Sequence, residues 1–194
     1  MYEYIFGKLV RSNPTYCVID CNGIGYNILI SVNTYTAIKD SAEVKLYLHH
    51  ILRDDLENLY GFFTEKERTI FRFLITVSGV GANTARVILS SLTADELYST
   101  IVDGNYKRLK SVKGIGEKTA QRIVVDLRDK LTKVDFDVEV HALKHNNNLD
   151  EALSALMMLG FPKPAVEKAL RNTVESKGSE LSVEDLVKET LKIM

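Results

Sequence analysis

The sequence predicts a multi-domain α+β chain with three folded parts: a small five-stranded barrel, an all-helical middle and a C-terminal bundle of three helices. Three observations carry this. Short β-rich runs separated by turn residues fill the first sixty residues. A pattern with two glycines then occurs twice, 35 residues apart, each time ahead of a helical period. A polar stretch without apolar periodicity follows and separates the middle from a last helical segment. The boundaries read 1–63, 64–131, 132–148 and 149–194.

The first part, 1–63, holds five candidate strands: Tyr2 to Val10, Tyr16 to Asp20, Tyr26 to Val32, Val44 to Leu52 and Glu57 to Phe62. All are rich in Val, Ile, Leu and Tyr, which suit a pleated, half-buried surface. Turn signals stand between them at Ser12-Asn13-Pro14, Cys21-Asn22-Gly23, Lys39-Asp40-Ser41 and Arg53-Asp54-Asp55. Five short strands are too few for a sandwich, and a closed barrel of the OB type buries their apolar faces economically. Gly7, Gly23, Gly25 and Gly61 are read as the bends of that barrel.

The second part, 64–131, is helical. Thr64-Glu65-Lys66-Glu67 is read as a capping box opening a helix through Val77, with Phe71, Leu74 and Ile75 on its inner face. Thr93-Ala94-Asp95-Glu96 opens another, to about Val102. Further helices follow two glycine-containing turns, the last from about Glu117 to Leu131. Residues 132–148, with Asp135, Asp137, Glu139 and the run His145-Asn146-Asn147-Asn148, read as a mobile linker. In 149–194, Leu149 to Leu159 is a helix ended by Gly160, Pro162 to Val174 holds a second, and Ser182 caps a third.

Charge is distributed unevenly. The net of −1 conceals a basic middle: residues 64–131 carry 12 Lys/Arg against 8 Asp/Glu, while 1–63 carry 5 against 7 and 132–194 carry 8 against 11. Only the middle attracts phosphate. No run approaches the roughly 18 apolar residues of a membrane helix. The acidic, aromatic start Met1-Tyr2-Glu3-Tyr4 lacks the basic residues of a signal peptide, so a cytoplasmic protein is expected. Cys17 and Cys21 are read as small buried hydrophobes rather than a disulfide or redox pair.

The repeat carries the chemistry. Val77-Ser78-Gly79-Val80-Gly81-Ala82-Asn83-Thr84-Ala85 and Val112-Lys113-Gly114-Ile115-Gly116-Glu117-Lys118-Thr119-Ala120 align without gaps. An arginine follows each copy, Arg86 and Arg122, and is read as part of the recurring pattern. Two glycines flanking one apolar residue at a helix start allow a tight turn and keep side chains away from a ligand. Val80 and Ile115 are expected to plug into the core. The first N–H groups of each helix then form an anion site at the positive end of the dipole. Thr84, Thr119, Lys118, Lys113, Arg86 and Arg122 are candidate side-chain contacts. Such a site touches phosphates and no base edges, so binding is expected to be independent of sequence. As a dinucleotide fingerprint the pattern fails, because no third glycine follows at the required spacing.

The repeat resembles the helix-hairpin-helix motif of DNA-binding proteins. The whole arrangement resembles the RuvA family of Holliday-junction-binding proteins, on Gly23-Ile24-Gly25-Tyr26, Leu59-Tyr60-Gly61-Phe62, Glu67-Arg68-Thr69-Ile70-Phe71, the two glycine turns with Lys118-Thr119-Ala120, and Leu159-Gly160-Phe161. That resemblance implies a non-catalytic homotetramer, or an octamer of two, holding an open four-way junction in recombination, repair and the SOS response. It implies no cofactor. It places an acidic pin at Asp54 and Asp55. It also implies docking of a RuvB-like hexameric ATPase on the last domain, through Leu156, Leu159, Phe161 and Leu191, and a RuvC-like resolvase as a further partner. Two departures stand out: Ala82-Asn83 where the family often carries a lysine, and Glu117 where it often carries a basic residue.

Other constellations are weaker. His141 and His145 have metal-ligand spacing but no third ligand nearby. His49 and His50 are adjacent in a strand and face opposite ways. No phosphate-binding Gly-x-x-x-x-Gly-Lys-Ser/Thr loop occurs, so ATP hydrolysis would fall to a partner. The competing readings are a structure-specific nuclease, for which no carboxylate cluster is apparent, and a protein adaptor that binds no DNA.

Overall fold

The computed structural model describes residues 2–54, 56–134, 147–178 and 181–194, which form two compact units, Met1–Phe136 and Asp137–Met194. Most of the expected linker, with His141 and His145, lies outside the described residues, as does Asp55.

The first unit opens with a closed barrel. Its strands are β1 (Tyr4–Asn13), β2 (Tyr16–Cys21), β3 (Ile24–Ile30), β4 (Glu43–Arg53) and β5 (Leu56–Phe62), in the order β1-β2-β3-β5-β4. All neighbours are antiparallel except β3 and β5. Alternate residues point inward, so Ile5, Cys17, Ile19, Ile28, Ile30, Val44, Leu46 and Leu48 form one buried cluster. Burial pushes the Cys17 thiol up to about 12, which makes it an inert hydrophobe. Gly7 and Gly61 serve close packing rather than bends. A Cβ on Gly7 would lie 2.2 Å from the Asp20 carbonyl oxygen, and one on Gly61 2.5 Å from the Ile28 side chain.

A short helix, α1 (Val32–Ile38), crosses from β3 to β4, where the sequence reading ended a strand at Val32 and placed no element before the turn at Lys39. Its Val, Thr and Tyr content favours strand over helix. Tertiary contacts override that: Ser31 caps it by accepting from the Thr34 N–H, and Ile38 is fully buried in the barrel core.

Helices follow: α2 (Glu65–Leu74), α3 (Ala82–Ser91), α4 (Ala94–Val102), α5 (Tyr106–Lys110) and α6 (Glu117–Leu131). The box expected at Thr64 forms only in part. Thr64 accepts from the Glu67 N–H, but the Glu67 carboxylate accepts instead from Ser31 Oγ at 2.7 Å, Thr34 Oγ1 at 2.8 Å and the Phe63 N–H at 3.1 Å. It thereby latches α1 to α2. Thr93 and Glu96, in contrast, form the complete reciprocal box of α4. The helices pack on the barrel through Tyr60 and Phe62 of β5, which join Phe71, Leu74, Leu97, Ile123 and Leu127 in one cluster.

Glu67 is 5% exposed, and burial raises its pKa above the usual glutamate range despite the opposing hydrogen bonds from Ser31, Thr34 and Phe63. A raised folded pKa favours the protonated fold. That contribution is complete below the unfolded pKa and is lost as pH rises through the folded one. Glu67→Gln is therefore expected to match or exceed the parent's stability at pH 8 and to lose that advantage near pH 4. Thermal unfolding at the two pH values measures it, and a variant clearly weaker at pH 8 refutes it. Glu67→Ala leaves two hydroxyls without their acceptor and is expected to cost about 1–3 kcal/mol.

The second unit is a bundle of α7 (Asn147–Met158), α8 (Lys163–Lys177) and α9 (Val183–Ile193) around Ala152, Leu156, Val166, Leu170 and Leu186. Gly160, at φ +99°, ends α7 in a Schellman arrangement. Its N–H bonds the Met157 carbonyl at 3.0 Å, and that of Phe161 bonds the Leu156 carbonyl at 3.3 Å. Phe161 packs against the cluster that contains Leu156.

Candidate nucleic-acid interface

The two glycine turns are structural copies. Gly79 and Gly114 stand at φ +90° and +88°, a region that disfavours any side chain. Val80 and Ile115 are 4% and 6% exposed and sit in the same cluster, as their apolar character predicts. The Val80 N–H bonds the Val77 carbonyl at 3.0 Å, and the Ile115 N–H bonds the Val112 carbonyl at 3.1 Å. Even the hydroxyls before the turns repeat: Thr76 donates to the Phe73 carbonyl and Ser111 to that of Arg108, both at 2.7 Å. α2 therefore ends at Leu74, short of the expected Val77, because Thr76 and Val77 already make the tighter i to i−3 bonds of the turn.

Gly81 and Gly116 are the N-caps of α3 and α6, with ordinary extended dihedrals and no side-chain cap. Thr64, Thr93, Asn105 and Ser182 close α2, α4, α5 and α9 with their own oxygens. On α3 and α6 that service is missing, and the N–H groups of Ala82, Asn83 and Thr84, and of Glu117, Lys118 and Thr119, lie at the positive end of each dipole. No heavy atom lies within 4 Å of a Cβ built on any of the four glycines, so a bulky anion has room to approach. Asn83, Lys113 and Lys118 are exposed, and Ala82, Thr84 and Thr119 half-buried.

Glu117, the carboxylate at the start of α6, is paired. Lys110 Nζ lies 2.8 Å from its Oε2. That hydrogen bond and charge hold Glu117 below the usual carboxylate range and raise Lys110. The unfavourable charge at the second site is thus partly cancelled by a lysine the sequence reading did not single out. The signal was present in the run Lys107-Arg108-Leu109-Lys110, seven residues upstream.

The arginines correct the expected pattern. At the 35-residue offset Arg86 corresponds to Gln121, and Arg122 to Val87, so they fall one position out of register. Each also bonds a carbonyl through one terminal nitrogen, Arg86 half-buried and Arg122 exposed. Arg86 Nη1 donates to the Thr15 carbonyl of the barrel at 3.2 Å, and Arg122 Nη1 to the Ser78 carbonyl of the first turn at 3.1 Å. α3 is held on the barrel further by Asn33 Nδ2 to the Leu89 carbonyl, 2.7 Å, and by the Val32 N–H to Ser90 Oγ, 3.0 Å.

Asp54 is exposed at the tip of the β4–β5 hairpin, whose pairing runs to Arg53 opposite Leu56. In the second unit, Leu159 and Leu191 are 62% and 40% exposed. Leu156 is fully buried and Phe161 half-buried against the same core, so these two build the bundle rather than its surface. Among the described residues no three His, Cys, Asp or Glu side chains gather as a metal site, and no helix is long and apolar enough to cross a membrane.

Comparison with known proteins agrees along the length of the chain. Residues 1–61 match the RuvA N-terminal domain, 71–129 a SAM-like helix-hairpin-helix tandem, and 147–194 the RuvA C-terminal domain. Among similar proteins, the Holliday junction branch migration complex subunit RuvA of Christiangramia forsetii is 47% identical over 196 residues, covering 99% of both chains. The proteins of the same name from Flavobacterium psychrophilum and Porphyromonas gingivalis are 44% and 42% identical, over 99% and 100% of both chains. The chain belongs to the RuvA family.

Proposed function

We propose that this chain is the DNA-binding, non-catalytic subunit of an ATP-driven branch-migration complex, and that it holds four-way junctions open through phosphate contacts. The duplicated turn carries the reading: two helix starts of the same geometry, each stripped of the side-chain cap found on their neighbours. Phosphate oxygens would take the free N–H groups of residues 82–84 and 117–119, with Lys113 and Lys118 adding charge. Contacts made by backbone N–H groups to phosphates read no base edges, so recognition would follow backbone shape. In a fourfold assembly eight such sites act together, and multivalency converts weak contacts into selectivity for a junction. Relatives that share the architecture are named as branch-migration subunits.

Asp54 and Asp55 form the pin of this reading. Four copies would set like charge at the centre of the junction, repelling phosphates and favouring strand separation. The second unit would dock a RuvB-like hexameric ATPase, with Leu159 and Leu191 as the exposed apolar candidates. A RuvC-like resolvase is a further partner, and the tetramer can pair into an octamer. The domain functions follow the boundaries 1–63, 64–131, 132–148 and 149–194.

A gel shift with a four-way junction and a linear duplex of equal length, in Mg²⁺, tests the reading. Junction-selective binding without cleavage is expected. Equal binding reduces the protein to a generic duplex grip, cleavage indicates a nuclease, and no binding an adaptor. In the same assay Asp54→Asn with Asp55→Asn is expected to bind more tightly; weaker binding rules out a repulsive pin.

A further inference from the structure

The geometry points to Arg122 as a positioning residue that braces one hairpin against the other, and not as a phosphate contact. This rests on the phosphate-site reading and adds how the two sites are held in register. Arg122 is on the second turn of α6, the helix of the second hairpin, yet its guanidinium donates to the Ser78 carbonyl in the first hairpin. Ser78 immediately precedes Gly79, the residue whose positive φ shapes the first turn. The bond therefore grips the turn at its backbone.

The brace runs one way only. Val87, the equivalent of Arg122 in the first copy, is apolar and 42% exposed, and it has no polar arm to return to the second turn. Arg86, one position earlier, reaches the Thr15 carbonyl of the barrel instead. The result is a series: barrel to α3 through Arg86, then first turn to α6 through Arg122. Two phosphate sites act on neighbouring phosphates only while their spacing is fixed. Letting one drift lowers the effective concentration of the second at the backbone without removing a contact from the bound state. A guanidinium committed to a carbonyl has fewer donors left for a phosphate.

Salt dependence separates the two roles. Each phosphate neutralised by a cation contributes about 0.9 to the slope of log K against log[salt]. The full-length protein, Arg122→Met and a protein with citrulline at position 122 are titrated with a four-way junction between 50 and 200 mM salt. Citrulline keeps the length of arginine, its Nε–H and one terminal NH2 that can still reach the Ser78 carbonyl, and replaces the other NH2 with a carbonyl oxygen, which removes the charge. Thermal unfolding of each confirms that the fold persists. For a brace, Arg122→Met loses about tenfold or more in affinity with the slope unchanged, and citrulline keeps both affinity and slope. A slope that falls by about 0.9 per protomer in both variants, an unchanged affinity in Arg122→Met, or a citrulline protein no better than methionine overturns the brace. Absence of junction binding by the parent protein identifies failure of the phosphate-site reading itself, and the brace falls with it.

Discussion

Gly81→Asp combined with Gly116→Asp is expected to raise stability and destroy junction binding at once. Both glycines hold extended dihedrals, φ −84° and −76°, close to those of the natural caps Thr93 and Ser182. A Cβ meets nothing within 4 Å at either position. An aspartate there accepts from the first-turn N–H groups and complements the dipole, worth roughly 0.5–1 kcal/mol per helix. The same carboxylate occupies the anion site and repels phosphate. Hydrogen bonds to charged groups are worth about 1.5–3 kcal/mol, so loss of two sites per protomer predicts roughly a hundredfold to ten-thousandfold weaker binding. Gly81→Asn with Gly116→Asn caps without charge and should weaken binding less. Thermal unfolding and junction titration measure the two effects. Stability gained with binding retained in the aspartate variant would mean that the turns are only tight helix connections. Gly79 and Gly114 are poorer targets, since a side chain at φ near +90° strains the fold by about 1–3 kcal/mol each and confuses the two effects.

The glycine turns were legible because their logic is local. Val80, Ile115 and the four glycines act within one turn, and pattern alone locates them. The five strands and the caps Thr64, Thr93 and Ser182 were legible for the same reason. What sequence hid is long-range. Glu67 read as half of a capping box because Thr64 stands three residues before it; nothing local reveals that Ser31 and Thr34, more than thirty residues away, claim its carboxylate. The same contacts made α1 a helix against its composition. Arg86 and Arg122 read simply as cations beside an anion site, and only the fold supplies the carbonyls of Thr15 and Ser78 that each also bonds.

The second unit teaches the same distinction. Leu159-Gly160-Phe161 stood out as a motif, and Leu156, Leu159 and Phe161 were grouped with Leu191 as contact residues. Helical position cannot say which apolar side chains a bundle of this size keeps for itself. The Schellman turn at Gly160 sends Phe161 back over the core that holds Leu156, while Leu159 remains outside. The motif therefore serves first as a helix stop.

Phe71→Ala is expected to cost about 3–5 kcal/mol, a large part of the 5–15 kcal/mol typical of a domain, and to weaken barrel and helices together. Phe71 is fully buried on α2. Its ring lies 4.8 Å from that of Phe62, 5.2 Å from Tyr60 and 5.4 Å from His49, all on β4 or β5. The residue is thus the joint of the first unit, and its removal opens a cavity lined from both layers. The turn plugs Val80 and Ile115 belong to the same buried cluster, so junction affinity is expected to fall along with stability. All nine tyrosines lie between residues 2 and 106, which makes tyrosine fluorescence a report on the first unit alone. Urea unfolding followed this way should remain a single transition with an unchanged slope and a lower midpoint. Hydrogen exchange in β2 and α6 should accelerate by similar factors. Acceleration confined to α6 would mean that barrel and helices are separate folding units joined by a wettable interface. In that case the hairpins could move relative to the pin, and the rigid series from barrel through α3 to α6 would not exist.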